Sequence, residues 1–184
     1  MNNIYDKSIN SNWKIWTLYL FISCIFITPL TLSSQEIDYS FHAKFIYRFT
    51  KYINWPTEKS SGEFVIGVMG TSLIYEELVK ITYQKKVGEQ DIKIMKYSAD
   101  MDPKSFNIIF IPQWQSGYLE NVAAKLNESP VLIITDKSSG LKKVSDINFT
   151  IIDDKLRFEI NQTNIQKKSM QVAGELISMA SMVN

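Results

Sequence analysis

The stretch Phe64-Val-Ile-Gly-Val-Met69 decides the fold of this chain. It is apolar without alternation, a pattern typical of a strand that is buried on both faces. The turn Gly70-Thr71-Ser72 follows, and residues 73–82 then have a helical pattern for which Ser72 or Thr71 could serve as the N-cap. A buried strand that turns directly into a helix predicts the first unit of a parallel α/β sheet.

The same pattern occurs twice more along the chain. The run Asn107-Ile-Ile-Phe-Ile111 ends at Pro112, and the run Val131-Leu-Ile-Ile134 ends at Thr135-Asp136. Residues 116–126 between them have helical periodicity, and residues 91–97 alternate as an edge-type strand does. Three buried strands separated by helices predict a mostly parallel sheet that helices cover on both faces.

The two ends of this region have different periodicities. Phe41, Phe45, Phe49 and Ile53 recur every four residues, which predicts a helix over residues 39–53 that stops before Pro56. Residues 147–151 and 156–160 alternate between apolar and polar, which predicts an antiparallel hairpin with one buried and one wet face. Ile151 then belongs to the buried face, while Asn148 and the pair Arg157 and Glu159 belong to the wet one. The predicted fold is a single α/β domain, a three-layer α/β/α (Rossmann-like) arrangement with a C-terminal antiparallel hairpin and terminal helices.

Residues 1–34 have the order of segments that is typical of a secretory signal peptide. A weakly basic start containing Lys7 and Lys14 precedes an apolar run over residues 16–27, and small residues then lead to Ser33 and Ser34. The run is shorter than the roughly 20 residues that a spanning helix needs, which favours cleavage over a permanent anchor. A lipoprotein that is acylated at Cys24 is a less favoured alternative. We therefore expect residues 35–184 to be exported as one domain.

Charge and cysteine content narrow the function classes. The chain has 20 Lys and Arg against 19 Asp and Glu, and the leader takes two lysines and one aspartate, which leaves 18 of each. A neutral domain lacks the excess positive charge that is typical of domains that bind nucleic acid. The only cysteine is Cys24, inside the leader, so the exported domain is expected to have no disulfide.

Groups for catalysis are scarce. The only histidine, His42, is interpreted as a partly exposed helix residue, and no serine lies in a nucleophile-elbow motif. A zinc site would need mostly carboxylates, and turn chemistry explains Asp136 and the pair Asp153-Asp154. We predict no catalytic residue, no metal and no cofactor.

Two features could instead bind something. Gly70, Thr71 and Ser72 end a buried strand and open a helix, where backbone N–H groups favour an anion, although a plain tight turn explains them as well. Trp55 either caps the core at the end of the first helix or, if exposed, anchors a partner.

The ordered motifs resemble the YfiR-like family of bacterial periplasmic proteins. They are Phe45-x-x-x-Phe49-x-x-x-x-x-Trp55-Pro56, Phe64 to Gly70, Asn107 to Ile111, Pro130 to Asp136, Ile147-Asn-Phe149, Leu156 to Asn161 and Glu175 to Ala180. The resemblance implies a compact α/β/α domain, often dimeric, without enzymatic activity. It also implies a broken tail, with a short helix near residues 163–168, an extended stretch over 169–172 and a final helix from Ala173.

The best-known member of that family represses an inner-membrane diguanylate cyclase by binding its periplasmic sensor region, which sets the cyclic-di-GMP level and biofilm formation. Other members accompany sensor kinases. Many members have a cysteine just before the strand that is here Asn107 to Ile111, and a second cysteine pair near the region of residues 140–147. This chain lacks both, so a redox switch is not implied for it.

The expected function is that of a non-enzymatic periplasmic regulator that binds the sensor region of an inner-membrane signalling protein. The partner would be a diguanylate cyclase or a histidine kinase. The chain could also form a homodimer, and we expect it not to bind nucleic acid. A periplasmic small-solute binding protein, using Gly70, Thr71 and Ser72, is the alternative from a different class, and a hydrolase that relies on His42 is a third.

Overall fold

The structure is a computed structural model that describes residues 38–136 and 143–184. The helices of this part are α1 (Ser40–Tyr52), α2 (Ile74–Thr82), α3 (Leu119–Leu126), α4 (Gln162–Lys167) and α5 (Gly174–Met179). The strands are β1 (Ile53–Asn54), β2 (Phe64–Met69), β3 (Lys86–Val87), β4 (Gln90–Tyr97), β5 (Ile108–Ile111), β6 (Leu132–Thr135), β7 (Ile147–Ile152), β8 (Lys155–Ile160), β9 (Gln171–Val172) and β10 (Met182–Val183). The expected signal peptide and Cys24 lie outside the described residues.

The strands form one large mixed sheet and one small sheet. The large sheet has the order β10-β8-β7-β6-β5-β2-β4-β3, and β1 pairs with β9. Neighbours from β7 to β4 are parallel, as are β10 and β8, whereas β7–β8 and β3–β4 are antiparallel. The single α/β domain is confirmed over residues 38–184. The mostly parallel, Rossmann-like arrangement is not confirmed, because hairpins reverse the chain near both ends of the sheet.

Two hydrophobic cores lie on opposite faces of the large sheet. Ile66, Ile108 and other residues of one face pack with α1, α2 and α5, while Ile109, Ile133 and others of the opposite face pack with α3. Burial on both faces explains why β2 and β5 lack polar side chains and why β6 has only Thr135.

Helix α1 buries a different stripe from the predicted one. Phe49 is buried, but Phe41 is 55% exposed and Phe45 is only half-buried. The buried face instead includes His42 and Ile46, so the interpretation of His42 as partly exposed is wrong. A strict spacing of four residues advances about 40° around a helix at each step, so it drifts away from a fixed core face.

The hairpin β7–β8 also differs from the prediction. Ile151 is 64% exposed, whereas Asn148 and Glu159 are buried and hydrogen-bonded to each other through Asn148 Nδ2 and Glu159 Oε2 at 3.1 Å. Strand β6 reaches only as far as Asn148, and β10 pairs only with Glu159 and Ile160. The base of the hairpin therefore has a paired strand on each side, while its tip extends past the neighbouring strands. Arg157 is exposed and does not share a wet face with Glu159.

The broken tail is confirmed. α4 ends at Lys167, β9 pairs Val172 with Ile53, and α5 begins at Gly174. Ser169, with φ of +57°, turns the chain between α4 and β9. This short sheet fastens the C-terminal region to the end of α1.

Candidate functional site

The best candidate site is the carboxyl edge of the large sheet, which we define as the edge where β2, β4, β5 and β6 end. After β2 the chain adds β4 on one side of β2, and it then returns to add β5 on the other side. The connections that leave β2 and β5 diverge at such a point, which is where open α/β sheets commonly bind their ligands. Gly70–Leu73 and Gln113–Tyr118 are the segments that leave these two strands at this edge.

Exposed apolar side chains are concentrated at the carboxyl edge. Within the described residues, ten large apolar side chains are exposed, and five of them belong to segments of this edge: Leu73, Trp114, Tyr118, Ile151 and Ile152. Strand β7 continues past the end of β6, so Ile151 stands about 10 Å beyond the last residue that pairs with β6. Neighbouring strands are about 4.8 Å apart, so about 14 Å separates β7 from β2. Because these five exposed apolar side chains share one edge, that edge is the candidate interaction surface.

Asp136 holds the segment that carries Trp114. The backbone N–H of Gln113 donates to Asp136 Oδ1 at 2.6 Å, and the Tyr39 hydroxyl donates to Oδ2 at 3.1 Å. Burial raises the pKa of Asp136, and these two hydrogen bonds oppose that rise. Burial and the neighbouring Asp136 carboxylate together raise the pKa of Tyr39. Asp136 therefore joins the start of α1 and the segment Gln113–Tyr118 to the end of β6, which is more than a turn residue does.

The turn at Gly70, Thr71 and Ser72 lies at the same edge. Gly70 has φ of +71°, and a Cβ added there would be 3.0 Å from Nε2 of Gln115. Its N–H donates to the Tyr97 carbonyl at 3.4 Å, and the Ile74 N–H donates to Ser72 Oγ at 3.4 Å. The Gln115 side chain therefore occupies the space beside Gly70 that a ligand bound by this turn would use. Ligand binding by this turn stays a prediction.

Trp55 lies away from the carboxyl edge. Its ring packs edge-to-face on Phe64, the first residue of β2, with centroids 4.9 Å apart. It is half-buried beside the first core, at the end of α1. A role of Trp55 in partner binding stays a prediction.

Trp114 is the residue at this edge that sequence reasoning missed. It is 53% exposed. The sequence contains a weak indication of its position. The tryptophan lies between Gln113 and Gln115 and follows Pro112, which ends a buried strand. An aromatic residue with polar neighbours, directly after a strand of a parallel sheet, falls on the edge where such sheets bind their ligands.

His42 is placed for packing. Its ring lies between Tyr39 and Phe149, with centroids 4.9 and 4.7 Å away. Burial lowers its pKa to about 4, and within the described part of the chain its Nδ1 has no hydrogen-bond partner. Residues 38–136 and 143–184 also contain no group of three or more His, Cys, Asp or Glu side chains that could hold a metal ion.

The sequence profile of the YfiR/HmsC-like family matches residues 39–181, so the chain belongs to that family. This family is regulatory rather than catalytic, is periplasmic in general, and suggests a role in cyclic-di-GMP signalling. No curated protein matches the chain in a sequence search. Among the described helices, none has the length and apolar character needed to cross a membrane.

Proposed function

We propose that this member of the YfiR/HmsC-like family is a non-enzymatic periplasmic regulator. It binds the periplasmic sensor region of an inner-membrane signalling protein and represses it. A diguanylate cyclase is the proposed partner, and a histidine kinase is the alternative that the same surface could serve. The observation that carries the proposal is the exposure of Trp114 and of the hairpin tip at one edge of a domain from a regulatory family.

Trp114 and the hairpin tip have the properties of an interface. Tryptophan is one of the three side chains enriched among residues whose truncation costs 2 kcal/mol or more in binding. Ile151 and Ile152 are further exposed apolar side chains at the same edge, and burying such a side chain contributes about 1.5–3 kcal/mol. Because the Asp136 hydrogen bonds hold the backbone beside Trp114, less conformational entropy is lost when a partner binds.

Export is part of the proposal. Residues 1–34 would direct the chain across the inner membrane and would then be removed. The domain over residues 35–184 would then be in the compartment that contains the sensor region of the partner.

Complementation of a deletion strain tests the proposal. Deletion of the gene should raise the cellular cyclic-di-GMP level, and wild-type protein should restore it. Trp114→Ala should fail to restore it. The matched control is Tyr83→Ala, which removes an aromatic side chain that is 71% exposed at the opposite end of α2 and should restore the level fully. Equal restoration by both variants would contradict the assigned surface. An unchanged cyclic-di-GMP level in the deletion strain would contradict a cyclase as the partner.

The small-solute alternative has less support, because Gln115 lies against Gly70. It is tested by thermal unfolding with nucleotides, phosphate or amino acids in excess. A ligand at 100 times its Kd stabilises a protein by about 2.7 kcal/mol, which shifts the melting temperature by several degrees. A shift that Gly70→Ala removes would favour this alternative.

A further inference from the structure

An apolar groove of about 430 Å³ lies between α1 and the end of α2. Phe41 and Phe45 line it from α1, and Ile81 lines it from α2. Phe41 is more than half exposed there, although it lies on a helix whose other face is fully packed. The groove thus offers apolar surface to a partner.

Cationic side chains surround this groove. Lys44 and Arg48 extend from α1, and Lys85 follows α2. Within the described residues, none of the three forms an ion pair with a carboxylate. The Lys44 ammonium lies 4.8 Å from the centre of the Phe41 ring, and the Lys85 ammonium lies 4.5 Å from that of Tyr47. In a chain with nearly equal numbers of cations and anions, this is a local excess of positive charge beside apolar rings.

We propose that the groove binds an amphipathic helix with acidic flanks, contributed by the signalling partner. Apolar residues spaced three and four apart would contact Phe41, Phe45 and Ile81, as in other helix-in-groove complexes. Carboxylates on both sides of that stripe would pair with Lys44, Arg48 and Lys85. This inference rests on the proposed function for the identity of the partner, but it adds a second contact surface and states its chemistry.

The charge on the groove argues against a second copy of the chain as its occupant. In a two-fold symmetric contact the same patch meets itself. Lys44, Arg48 and Lys85 of one copy would then face the same cations of the other, and juxtaposed like charges disfavour a complex. An acidic segment removes this repulsion. It also adds negative charge to that of Asp38, the carboxylate whose pKa is lowered by hydrogen bonds from Ser40 and also by Lys44.

Fluorescence anisotropy with designed peptides tests the groove without knowledge of the partner. The probe is a fluorescein-labelled, stapled helix of about four turns, with leucines at i, i+3, i+4 and i+7 and glutamates on both flanks. The matched probe has lysines in place of the glutamates. The glutamate peptide should bind and the lysine peptide should not, and added salt should weaken binding.

Charge-reversal variants locate the binding. The double variant Arg48→Glu, Lys85→Glu should weaken binding of the glutamate peptide about tenfold or more. The control Lys125→Glu changes a lysine of α3, on the other face of the sheet, and should bind like wild type. No binding of the glutamate peptide, equal binding of both peptides, or equal affinity of the double variant and the control would overturn the inference. So would a dimer in sedimentation analysis that Phe41→Glu dissociates, because the groove would then be filled by a second copy.

Failure of the groove is distinguishable from failure of the proposed function. Trp114→Ala should bind the glutamate peptide like wild type, because Trp114 does not line the groove. If the peptide binds but Trp114→Ala restores the cyclic-di-GMP level, the carboxyl-edge proposal fails and the groove stands. If the peptide does not bind but Trp114→Ala fails to complement, the groove proposal fails alone.

Discussion

As the pH falls from 7 to 4, His42 should lower the stability of the domain by a measurable amount. The His42 ring is only 6% exposed and lies between Tyr39 and Phe149. Burial lowers its pKa from 6.5 to about 4, while the weaker influence of Asp38 opposes the change. Between these two pH values the unfolded chain binds a proton that the folded chain excludes. Acidification therefore favours unfolding.

The size of the effect follows from the difference between the two pKa values. Each tenfold change in proton affinity corresponds to about 1.4 kcal/mol, so the loss approaches about 3 kcal/mol once the pH is below 4. More than about one pH unit above 6.5 the histidine contributes almost no pH dependence, because it is neutral in both the folded and the unfolded state. A loss of this size is a large fraction of the roughly 5–15 kcal/mol that stabilises a typical domain.

Urea unfolding followed by circular dichroism at pH 7, 6, 5 and 4 measures this contribution. His42→Phe keeps an aromatic ring and removes the titrating group, so its unfolding free energy should fall less steeply with pH. Burial raises the pKa of Asp136 and of Asp146, so these carboxyl groups act in the opposite direction. They are present in both proteins, and the difference between the two curves isolates His42. Parallel curves for wild type and His42→Phe would refute the reasoning.

Three further substitutions test the packing and the proposed surface. Lys168→Met removes the ammonium that lies 2.6 Å from the fully buried Asp146 carboxylate. In urea unfolding it should lower the unfolding free energy by about 3–5 kcal/mol, and a loss below about 1 kcal/mol would contradict the importance of the buried pair. Gly67→Ala places a Cβ 2.7 Å from the Phe106 ring, so it should lower unfolding free energy by about 1–3 kcal/mol, and Phe106→Leu in the same chain should recover part of that loss. Ile151→Ser should leave unfolding free energy within about 0.5 kcal/mol of wild type but weaken control of cyclic-di-GMP; full control would exclude the hairpin tip from the interface.

The central strands were predictable from the sequence because their environment is uniform. Each residue of β2, β5 and β6 faces one of two cores, so an unbroken apolar run indicates its position in the sheet. The hairpin was less predictable, because alternation shows which residues share a face but not how far the neighbouring strands extend. Ile151 follows the apolar–polar alternation of β7, yet it lies three residues past the last residue that pairs with β6 and is exposed.

The candidate site was the hardest part to predict. Gly70 is readable as a turn from its place after β2, but its neighbour Gln115 depends on β5 pairing with β2. Trp114 and Ile151 lie at the same edge of the sheet because β5 and β7 both run parallel to β6. Such proximity is set by strand order, which no local pattern of residues contains. Trp55, which precedes Pro56, packs on Phe64 at the end of α1, as the core-capping alternative predicts.

Site-specific photocrosslinking in living cells tests the central claim most directly. A photoreactive amino acid replaces Trp114 at the carboxyl edge or, as the matched control, Tyr83 at the far end of α2. The account predicts that position 114 crosslinks to an inner-membrane protein with a periplasmic sensor region and a cyclase or kinase output domain, and that position 83 does not. The absence of that adduct at position 114, in cells where the substituted protein still controls signalling, would contradict it.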